Sequence, residues 1–585
     1  MPDTRPDSLA DFLDKKAIAS VLEQIAGLLE LKGENRFRVR AFRTAARALA
    51  TYTGDLRAGL DDGSLARARG IGPVTLGIIG ELVRSGRASL LDELRQEIPP
   101  GLVEMLEGTG LSIAKVRQIH ETLGVDSLPE LEAAARDGRL ATLPRFGEKT
   151  AANILRAIAF RRQAGNYRLL HHATEEAEAL RAALLRLPGV QRVETAGDVR
   201  RRTEIVADVV MVVVAETAPD ELFRRLNELP GVHEFAGRDE RRVTLRFAGG
   251  GSAQVVVTTA VNAGAMLVQA TGSEDHLRLV AEHAAARGCA LHGAALWRGS
   301  SFVPTPDERT FYGELGLALV PPELREGRDE VELAARDALP PLLERQDLKG
   351  FLHCHTKESD GTNTVEQLAV ACRKAGYSWI GITDHSQAAF YAGGLKPDRL
   401  LRQLDEIDRL NEQLAGIRVL KGIEADILQD GQVDYDERLL ARLDFVIASV
   451  HSRFSMDEPA MTARMLAAMD NPYLTIIGHP TGRLLLSREP YPVDLDAVIA
   501  RAGERGVALE INADPHRLDL DWRRLPEARA AGVPISIGAD AHGLNGIGNM
   551  DLGVAMARKG GLAAGDVLNT LTADEFVAFA RRRRP

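Results

Sequence analysis

The first 160 residues carry apolar side chains at the spacing of an α-helix. In KAIASVLEQIAGLLELKG and VRAFRTAARALA the apolar positions recur at i, i+3, i+4 and i+7, and a glycine ends the first segment. This part of the chain is therefore predicted to be helical. From about Leu184 the pattern changes to β-branched runs bounded by glycine or charged residues, such as RRVTLRFAGG and SAQVVVTTA, which predict strands.

Beyond residue 348 strand patterns and helix patterns alternate. The apolar runs WIGITDH, RVLKGIEADI, FVIASVH, LTIIGHP, VALEINAD and VPISIGADAH are separated by helical segments. Such a βα repeat predicts an α/β barrel or a related parallel sheet. The proline-rich segments PPELREG and ALPPLLE precede it, so a new region is expected to begin at 348–350.

Length and composition limit the class of protein. A chain of 585 residues is long for one core and predicts roughly three to five modules. No apolar run is long enough to span a bilayer, and the polar start MPDTRPDSLADFLDKK lacks the pattern of a signal peptide. Three cysteines cannot form a disulfide framework, which predicts a reducing cytoplasm. The net charge of -10 argues against non-specific coating of nucleic acid, but leaves open DNA binding through a basic face.

Three glycine-bearing turns recur in the helical region. They are ARGIGPVTLGIIGELV, LEGTGLSIAKVRQIHETLG and LPRFGEKTAANILRAI, and each precedes a helix N-terminus, where free backbone N–H groups can hold a phosphate. They resemble helix–hairpin–helix motifs, which grip the DNA backbone without reading sequence. A packing turn is the better interpretation of one such turn alone, but three in succession favour DNA contact. The predicted DNA-binding residues are Arg69, Gly70, Gly72, Gly147 and Lys149.

Histidines and carboxylates cluster at the predicted strand ends of the C-terminal region. His353 and His355 are two residues apart, so on a strand they face the same side. Six successive strands are expected to present an imidazole or carboxylate at the C-terminal face of the barrel, where active sites lie. A single strand-end histidine is usually structural, but six of the seven histidines after residue 350 belong to this set. The nine candidate metal ligands are His353, His355, Asp360, His385, Glu424, His451, His479, Asp540 and His542.

The motifs that carry these ligands resemble a known superfamily. HCH…SDG, ITDHS, GIEADI, SVH, GHPTGR, LEINA and DAH are similar to motifs of the polymerase and histidinol phosphatase (PHP) superfamily of metal-dependent phosphoesterases. The resemblance implies up to three divalent metals, and the mixed nitrogen and oxygen ligands favour manganese or zinc. It assigns His353, His355, Glu424 and Asp540 to one metal, Glu424, His451 and His479 to a second, and Asp360, His385 and His542 to a third. The catalytic residues that it implies are His353, His355, Glu424, His451 and Asp540.

Several residues beside these motifs differ from the superfamily or have no single predicted role. Phe351 stands where the superfamily commonly has an acidic residue, and Cys354 is expected to face away from the metals into the packing. Arg483 and Arg517 fit either phosphate contacts or salt-bridge partners. His516 follows LEINAD outside the nine positions and is left unassigned.

The order of the regions resembles the bacterial family X DNA polymerases across essentially the whole chain. Supporting segments are ENRFRVRAFRTAARAL, ATGSEDH and YGELGLALVPPELREG. The resemblance implies a multidomain protein with an all-α helix–hairpin–helix region, an α+β nucleotidyltransferase-like palm and thumb, and a C-terminal α/β domain, a distorted βα barrel. The expected domains are a lyase-like domain at 1–90, a fingers-like domain at 91–165, a palm-like domain at 166–260, a thumb-like domain at 261–325, a linker at 326–347 and a PHP domain at 348–585.

The palm-like region departs from the family at its catalytic positions. A nucleotidyltransferase palm needs three carboxylates to hold two divalent ions. Asp208 fills the first position, but Val210 and Gln254 stand at the other two. A Gly-Ser pair that grips the triphosphate in the family is Gly197-Asp198 here, which sets a negative charge against an anion. The other departures are Gln269-Ala270 for an aromatic pair, Leu277 for an asparagine and Ala281 for an arginine, whereas Arg200 and the turn Thr271-Gly272-Ser273 are kept.

These features predict a DNA repair protein that acts as a 3'→5' exonuclease on DNA with gaps or 3' ends. Its polymerase activity is expected to be weak or lost, and the run Arg200, Arg201, Arg202 is expected either to contact DNA phosphates or to be a solvated turn. We expect a monomer that does not associate with membranes, and the sequence indicates no protein partner.

Three alternatives remain at this point. The first is an active gap-filling polymerase with a rearranged site that uses Asp198 and Asp208, which alone would require magnesium. The second is a small-molecule phosphatase of the histidinol phosphate type, which would leave the hairpins without a purpose. The third is a non-catalytic DNA-binding scaffold, which would leave the metal ligands without one.

Overall fold

A computed structural model describes residues 15–50, 52, 56–109, 111–165, 167–229, 232–247 and 251–585. The chain divides into two compact units, one ending at Gly165 and the other comprising the remaining residues. The polar start and Gly110 of the second predicted hairpin lie outside the described residues. Within the described ranges, no helix combines the length and apolar character needed to cross a bilayer.

The first unit is entirely helical, as the apolar periodicity predicts. Its helices are α1 (Lys15–Leu31), α2 (Arg36–Ala50), α3 (Leu56–Asp61), α4 (Pro73–Ser85), α5 (Ser89–Glu97), α6 (Pro100–Thr109), α7 (Ile113–Leu123), α8 (Leu128–Arg136) and α9 (Glu148–Ala164). They enclose a core that includes Leu22, Phe42 and Ile119. The apolar stripe of each helix faces that core, which is the main source of helix stability in a protein.

Two of the predicted hairpins have the same backbone structure. Each begins with a short 3₁₀ helix, Leu65–Arg67 or Leu140–Thr142, and continues through a tight turn into α4 or α9. The N–H of Ile71 donates to the carbonyl of Ala68 at 3.2 Å, and the N–H of Phe146 donates to that of Leu143 at 3.0 Å. The first and third hairpins are therefore copies of one supersecondary unit.

The second unit begins with a mixed sheet. Its elements are β1 (Arg168–Leu169), α10 (Leu170–Leu184), β2 (Val190–Ala196), α11 (Gly197–Arg201), β3 (Ile205–Val206), β4 (Val209–Ala215), α12 (Pro219–Leu226), β5 (Val232–Arg238), β6 (Arg242–Phe247) and β7 (Ser252–Thr258). The sheet order is β2-β4-β7-β6-β5, in which β4 and β7 are parallel and the other pairs antiparallel. This is the expected α+β palm-like fold.

A small helical and β-hairpin region follows the sheet. It consists of α13 (Ala263–Thr271), α14 (Glu274–Ala286), β8 (Cys289–His292), β9 (Ala295–Arg298), β10 (Ser301–Val303), α15 (Glu308–Glu314) and α16 (Glu330–Ala335). Val331 and Ala334 of α16 pack into the core of this region, and Leu343 packs into the core that includes the C-terminal barrel. The segment expected to be a linker is therefore packed at both of its ends.

The C-terminal region is a closed barrel of parallel strands. Its elements are β11 (Gly350–Cys354), α17 (Val365–Lys374), β12 (Trp379–Ile382), α18 (Pro397–Gln413), β13 (Arg418–Lys421), β14 (Glu424–Asp426), α19 (Glu437–Leu440), β15 (Ile447–Ser449), α20 (Glu458–Met469), β16 (Ile476–Ile477), α21 (Leu495–Arg505), β17 (Ala508–Asn512), α22 (Leu525–Ala530), β18 (Ile535–Ala541), α23 (Met550–Lys559) and α24 (Ala573–Arg581). The sheet order is β13-β12-β11-β18-β17-β16-β15-β14. All neighbouring strands run parallel.

One broken segment closes the barrel. β13 and β14 stand at opposite ends of the strand order, yet only Gly422 and Ile423 separate them in the chain. The segment 418–426 thus pairs with β12 through its first half and with β15 through its second half. The predicted fold class, including the distorted βα barrel, is confirmed, whereas the domain boundaries stay predictions.

The strand break at Gly422 has no room for a larger side chain. A Cβ at this position would lie 2.4 Å from Cζ of Phe445 and 2.6 Å from the carbonyl oxygen of Ile382. We expect Gly422→Ala to destabilise the second unit by about 1–3 kcal/mol, the usual cost of overpacking a core. Urea unfolding measures the change.

A matched control is Gly548→Ala, because a Cβ there would meet no atom within 4 Å. That variant should stay within about 0.5 kcal/mol of the parent. Equal stability of Gly422→Ala and the parent would contradict the close packing at the strand break.

Candidate metal centre

The nine candidate ligands converge at the C-terminal face of the barrel. His353 and Asp540 lie within β11 and β18, and Glu424 opens β14 at the strand break. The other six lie within three residues after a strand or, for Asp360, in the first loop, and they are His355, Asp360, His385, His451, His479 and His542. Because carboxyl ends of parallel strands meet at one edge, residues far apart in sequence become neighbours.

Glu424 lies at the centre of the cluster. Its Oε1 lies 3.3 Å from Nε2 of His353, 3.2 Å from Nε2 of His451 and 3.0 Å from Nε2 of His479. Its Oε2 lies 2.9 Å from Nδ1 of His385. One buried carboxylate thus faces four imidazoles at close range.

Overlapping groups of side chains could each hold an ion. The groups whose ligand atoms all lie within 4.8 Å of one another are His355, Asp360, His385 and His542; His353, His355 and Asp540; His353, Glu424 and His479; and His385, Glu424 and His451. Together they contain all nine candidate residues. Among the described residues, every such group of three or more lies in the barrel.

The unsatisfied polar atoms of the cluster fit divalent metals. Buried side-chain nitrogen and oxygen atoms are normally hydrogen-bonded. Six buried atoms of these residues make no hydrogen bond, namely His353 Nε2, both ring nitrogens of His355, His385 Nδ1, Glu424 Oε2 and His479 Nδ1. Lone pairs that face one another without a proton donor are the arrangement that a cation stabilises.

Two carboxylates outside the nine positions orient the ligands. His353 donates through Nδ1 to Oε1 of Glu510 at 2.5 Å, which turns its Nε2 toward Glu424. His451 donates through Nδ1 to Oδ1 of Asp426 at 2.8 Å, with the same result. Such partners fix the tautomer and orientation of metal-binding histidines. Neither role was apparent from the sequence, although GIEADI and LEINA contain these residues.

Asp384 holds the loop that carries Asp360. It accepts from the N–H of Thr356 at 2.7 Å and from the Thr356 hydroxyl at 2.7 Å. Gln403 also donates to it, at 2.5 Å. The residue directly before His385 is therefore part of the support of the site.

Backbone strain concentrates at the ligands. His353, His479 and Asp540 have φ values of 59°, 26° and 49°. Non-glycine residues rarely adopt positive φ, and such outliers cluster at functional sites. A register shift between Leu352 and Cys354 accompanies the strain in β11. Cys354 itself is fully buried and packs away from the ligands, as expected.

Charge keeps the central carboxylate ionised. Burial opposes ionisation of Glu424, but the nearby His451, His353 and His385 outweigh it and hold the pKa of Glu424 well below its usual range. Burial likewise opposes ionisation of Asp540, and His353 is the largest of the charges that hold its pKa low. Both carboxylates are therefore ionised at neutral pH and can bind a cation.

The histidines differ in protonation. Burial lowers the pKa of His451, but Glu424 and Asp426 outweigh it and raise the value to about 10. Burial also opposes the raised pKa of His542, which Asp360 and Asp540 bring to about 9. By contrast, burial and the neighbouring histidines lower the pKa of His355 to about 4. In the metal-free protein at neutral pH, His451 and His542 are therefore protonated, and a cation bound by these rings would have to displace those protons.

The structure corrects one expectation about this face. The six ligand-bearing strands are not successive, because β17 lies between β16 and β18 and contributes Glu510 instead of a candidate ligand. Of the two roles left open for Arg483, the structure shows the salt bridge: its buried side chain pairs with Asp521 at 2.6 Å and donates to the carbonyls of Arg517 and Leu518.

Arg517 remains available near the cluster. Its Nε lies 3.3 Å from Oδ2 of Asp540, and its side chain is one-fifth exposed. His516, which the sequence analysis left unassigned, points elsewhere and pairs with Asp514 at 3.2 Å.

Comparisons with known proteins agree with this arrangement. A family model described as the PHP domain matches residues 352–514, one described as a helix-hairpin-helix domain matches 14–88, and one described as the DNA polymerase beta thumb matches 266–326. The DNA polymerase/3'-5' exonuclease PolX of Bacillus subtilis is 36% identical over 574 residues, which cover 97% of this chain and 100% of that protein. The chain belongs to the family X DNA polymerases with a C-terminal PHP domain.

The PHP domain alone is also similar to smaller proteins. A probable phosphatase of Caldanaerobacter subterraneus subsp. tengcongensis is 31% identical over 253 residues, which are 40% of this chain and 91% of that protein. A probable phosphatase of Caldicellulosiruptor saccharolyticus is 33% identical over 217 residues, 34% of this chain and 82% of that protein. The PHP match together with the ligand clusters indicates that this polymerase family member binds divalent metal.

In this family X protein the three palm positions lie side by side. Val210 and Gln254 are direct partners across the parallel pair β4–β7. The side-chain amide of Gln254 donates to Oδ2 of Asp208 at 3.0 Å, and the Ser252 hydroxyl donates to Oδ1. The one remaining carboxylate is therefore bound by neutral side chains.

The neighbouring charges are neutralised within the protein. Arg200 makes a bidentate pair with Glu308 at 2.8 and 2.6 Å. Arg201 pairs with Asp198 and, at 3.1 Å, with Glu326. Internal carboxylates already bind the guanidinium groups of these two arginines, which argues against a free DNA contact, and the DNA-binding role of the run stays a prediction.

The five predicted DNA-binding residues lie at the two equivalent hairpins. Arg69, Gly72, Gly147 and Lys149 are exposed, and Gly70 is partly buried with a φ of 104°. Arg145, which occupies the position of Gly70 in the other hairpin, also has positive φ, at 70°. Both turns thus leave a helix N-terminus open to solvent, but the DNA-binding role of these residues stays a prediction.

The protonation pattern predicts that metal binding releases protons. Because His451 and His542 hold protons up to about pH 10 and 9 in the metal-free protein, divalent cations must displace them. We expect apparent Mn²⁺ affinity to rise from about pH 6 to pH 9, with a net release of protons on binding at neutral pH. Isothermal titration calorimetry in buffers of different ionisation enthalpy measures the release.

His516→Ala is the matched control, because His516 lies outside the cluster and should leave the release unchanged. Mn²⁺ affinity that does not vary with pH, with no proton release, would contradict the protonation pattern.

Proposed function

We propose that the PHP domain is a 3'→5' DNA exonuclease of DNA repair and that the front half of the chain holds the DNA. The observation that carries the proposal is the contrast between the two candidate sites. All nine candidate ligands meet around Glu424 in the PHP domain, whereas the palm keeps one of three carboxylate positions, Asp208. The relative from Bacillus subtilis is named as both a DNA polymerase and a 3'-5' exonuclease, and only the second activity has a full set of candidate residues here.

The proposed ligand sets follow the sequence assignment. His353, His355 and Asp540 would hold one ion together with Glu424; Glu424 would also hold a second with His451 and His479; Asp360, His385 and His542 would hold the third. Manganese or zinc suits this mixture of imidazole and carboxylate. Such ions polarise a phosphoryl oxygen and lower the pKa of bound water.

The protein's own side chains would position the phosphodiester. Glu510 and Asp426 fix the rings of His353 and His451, so that their Nε2 atoms face the reaction centre. Arg517 stands at the exposed side of Asp540, where its free N–H groups would bind a nonbridging phosphate oxygen. Its guanidinium would favour the charge that accumulates on that oxygen during hydrolysis.

The helix–hairpin–helix turns would supply DNA affinity. The first N–H groups of α4 and α9 have no partner within their helices, and each helix directly follows an exposed glycine, Gly72 or Gly147. Pro73, the first residue of α4, has no N–H, so this helix offers its groups from Val74 onward. Backbone N–H groups at helix N-termini bind phosphates without reading sequence. Lys149 in the first turn of α9 would add a charge to this contact. Gapped DNA and 3' ends are the substrates that this division of labour favours.

The palm would no longer transfer nucleotides. Two magnesium ions need several carboxylates, and Asp208 is bound by the hydroxyl of Ser252 and the amide of Gln254. A rearranged site that uses Asp198 meets a second obstacle, because Asp198 is already paired with Arg201. Burial raises the pKa of Asp198, which further weakens it as a ligand.

A small-molecule phosphatase is the second candidate. Its support is that relatives named probable phosphatases match the PHP domain over most of their own length. The helical and palm-like regions then have no evident use. The exonuclease accounts for both halves of the chain.

The exonuclease proposal predicts the effect of removing one ligand. We expect His353→Ala to lower the rate of 3'-nucleotide release from a 5'-labelled oligonucleotide by more than about 100-fold, since loss of an outer partner alone costs about 10–100-fold. DNA affinity, measured by fluorescence anisotropy, should change little because the hairpins remain. His516→Ala should retain the parent rate. Full nuclease activity in His353→Ala would overturn the assignment.

If the palm no longer transfers nucleotides, the protein should not extend a primer. A gapped template with all four nucleotides should yield no extension with magnesium or manganese, because only one carboxylate is available. The experiment uses His353→Ala so that nuclease action does not remove products. Robust incorporation that disappears when Asp208→Ala is added would show that the palm is active.

A further inference from the structure

The loop that follows His385 carries two aromatic side chains at the edge of the metal centre. The N–H of Leu395 donates to the carbonyl of His385 at 2.8 Å, and Leu395 also pairs with Ser386 in a β-bridge. The residues between Ser386 and Leu395 therefore form a loop whose two ends meet beside His385, a candidate ligand. Phe390 and Tyr391 stand at the far end of this excursion, in the short 3₁₀ helix Phe390–Ala392.

These two side chains are unusually exposed for their size. Phe390 is 84% exposed and Tyr391 is 62% exposed, whereas Ala389 and Ala392 on either side are buried. Phe390 is the most exposed large apolar side chain in the described part of the chain. The ring centroids lie 6.0 Å apart at an interplanar angle of 78°. The backbone is thus seated in the domain while both rings extend outward.

The loop is held in place at several points. The N–H of Ala388 donates to Asp434 at 2.9 Å, and the side-chain amide of Gln387 donates to the same carboxylate at 3.2 Å. Gly393 approaches the carbonyl of Ser359 so closely that a Cβ would lie 3.1 Å from it. Because Ser359 precedes Asp360, the aromatic loop borders the ligand loop. A fixed platform costs less ordering entropy on binding than a mobile one.

The aromatic loop lies beside the metal centre, because it leaves and returns at His385 and borders the loop that carries Asp360. Partial burial and then the charges of Asp426, Glu424 and Asp360 raise the pKa of the Tyr391 phenol, so its hydroxyl stays protonated. A nucleic acid whose phosphate reached the cluster would therefore pass close to these two rings.

We propose that Phe390 and Tyr391 form a stacking platform for the bases that flank the phosphodiester being cleaved. Nucleobases have flat faces that stack on aromatic rings with little preference for sequence. Stacking would require an unpaired 3' end, so the platform would make the nuclease favour frayed or single-stranded termini. This inference rests on the proposed exonuclease function and names the part of the substrate that the site recognises beyond the phosphate.

The test compares two oligonucleotides that differ only in their bases. One is an ordinary single strand, and in the other the two 3'-terminal nucleotides are replaced by tetrahydrofuran analogues that lack bases. We expect the parent protein to cleave the baseless end with a kcat/KM about tenfold lower, within the range of one stacked base. In the double variant Phe390→Ala, Tyr391→Ala the two substrates should be cleaved equally, with the loss on the ordinary strand expressed mainly as a higher KM.

Two further variants separate stacking from other roles. Tyr391→Phe keeps the ring and should retain the discrimination, whereas a role of the hydroxyl would remove it. Phe302→Ala is the matched control, because Phe302 is an exposed aromatic residue that pairs with Trp297 at 5.8 Å in the thumb region. It should leave the ratio of the two rates unchanged. Bound metal, measured by elemental analysis, should be the same in all three variants as in the parent.

The inference and the exonuclease proposal fail differently. If His353→Ala still cleaves DNA, the proposed function is wrong. If His353→Ala is inactive but the double variant discriminates as strongly as the parent, the exonuclease stands and the platform is overturned. A parent that does not discriminate, or a double variant that changes only the oligomeric state, also overturns the platform.

Discussion

The second half of this protein is organised around one buried carboxylate. Glu424 is 1% exposed and stands where the strand segment 418–426 breaks to close the barrel. An ionised carboxylate in this position needs compensation, because burial of an unpaired charge is costly. Imidazoles carried by four other strands supply part of this compensation. Several of their buried ring nitrogens have no hydrogen-bond partner, so protonated imidazoles alone do not satisfy the polar atoms of the cluster. Closure of the barrel and assembly of the metal centre are thus the same structural event.

The candidate ligands could be named from the sequence because they follow a simple rule. A histidine or carboxylate at the end of a parallel strand reaches the face where such strands meet, so the nine residues could be named without coordinates. Glu510 and Asp426 could not be assigned this way, because their hydrogen bonds to His353 and His451 depend on side-chain orientation. The break at Gly422 was equally hidden, since RVLKGIEADI has the pattern of one strand.

The palm illustrates a different limit. Val210 and Gln254 could be named from the sequence as departures from the family pattern, and the structure pairs them across β4 and β7, with Gln254 bonded to Asp208. The state of Arg200 was not readable, because its partner Glu308 lies 108 residues away. The palm-like region also contacts the PHP domain: Lys559 donates to the carbonyl of Arg201 at 3.0 Å, and Trp522 donates to Glu204 at 2.9 Å. The partners lie 358 and 318 residues apart in the chain, so these contacts could not be predicted from the sequence.

We propose that metal ions share the Glu424 carboxylate. Elemental analysis of purified protein, after equilibration with Mn²⁺ or Zn²⁺ and removal of free metal, tests it most directly when Glu424→Gln is compared with Asp360→Asn. Asp360 belongs to one of the groups that could hold an ion and Glu424 to two. The account predicts that Asp360→Asn loses one ion per chain and Glu424→Gln at least two. Equal metal content in Glu424→Gln and the parent would contradict it.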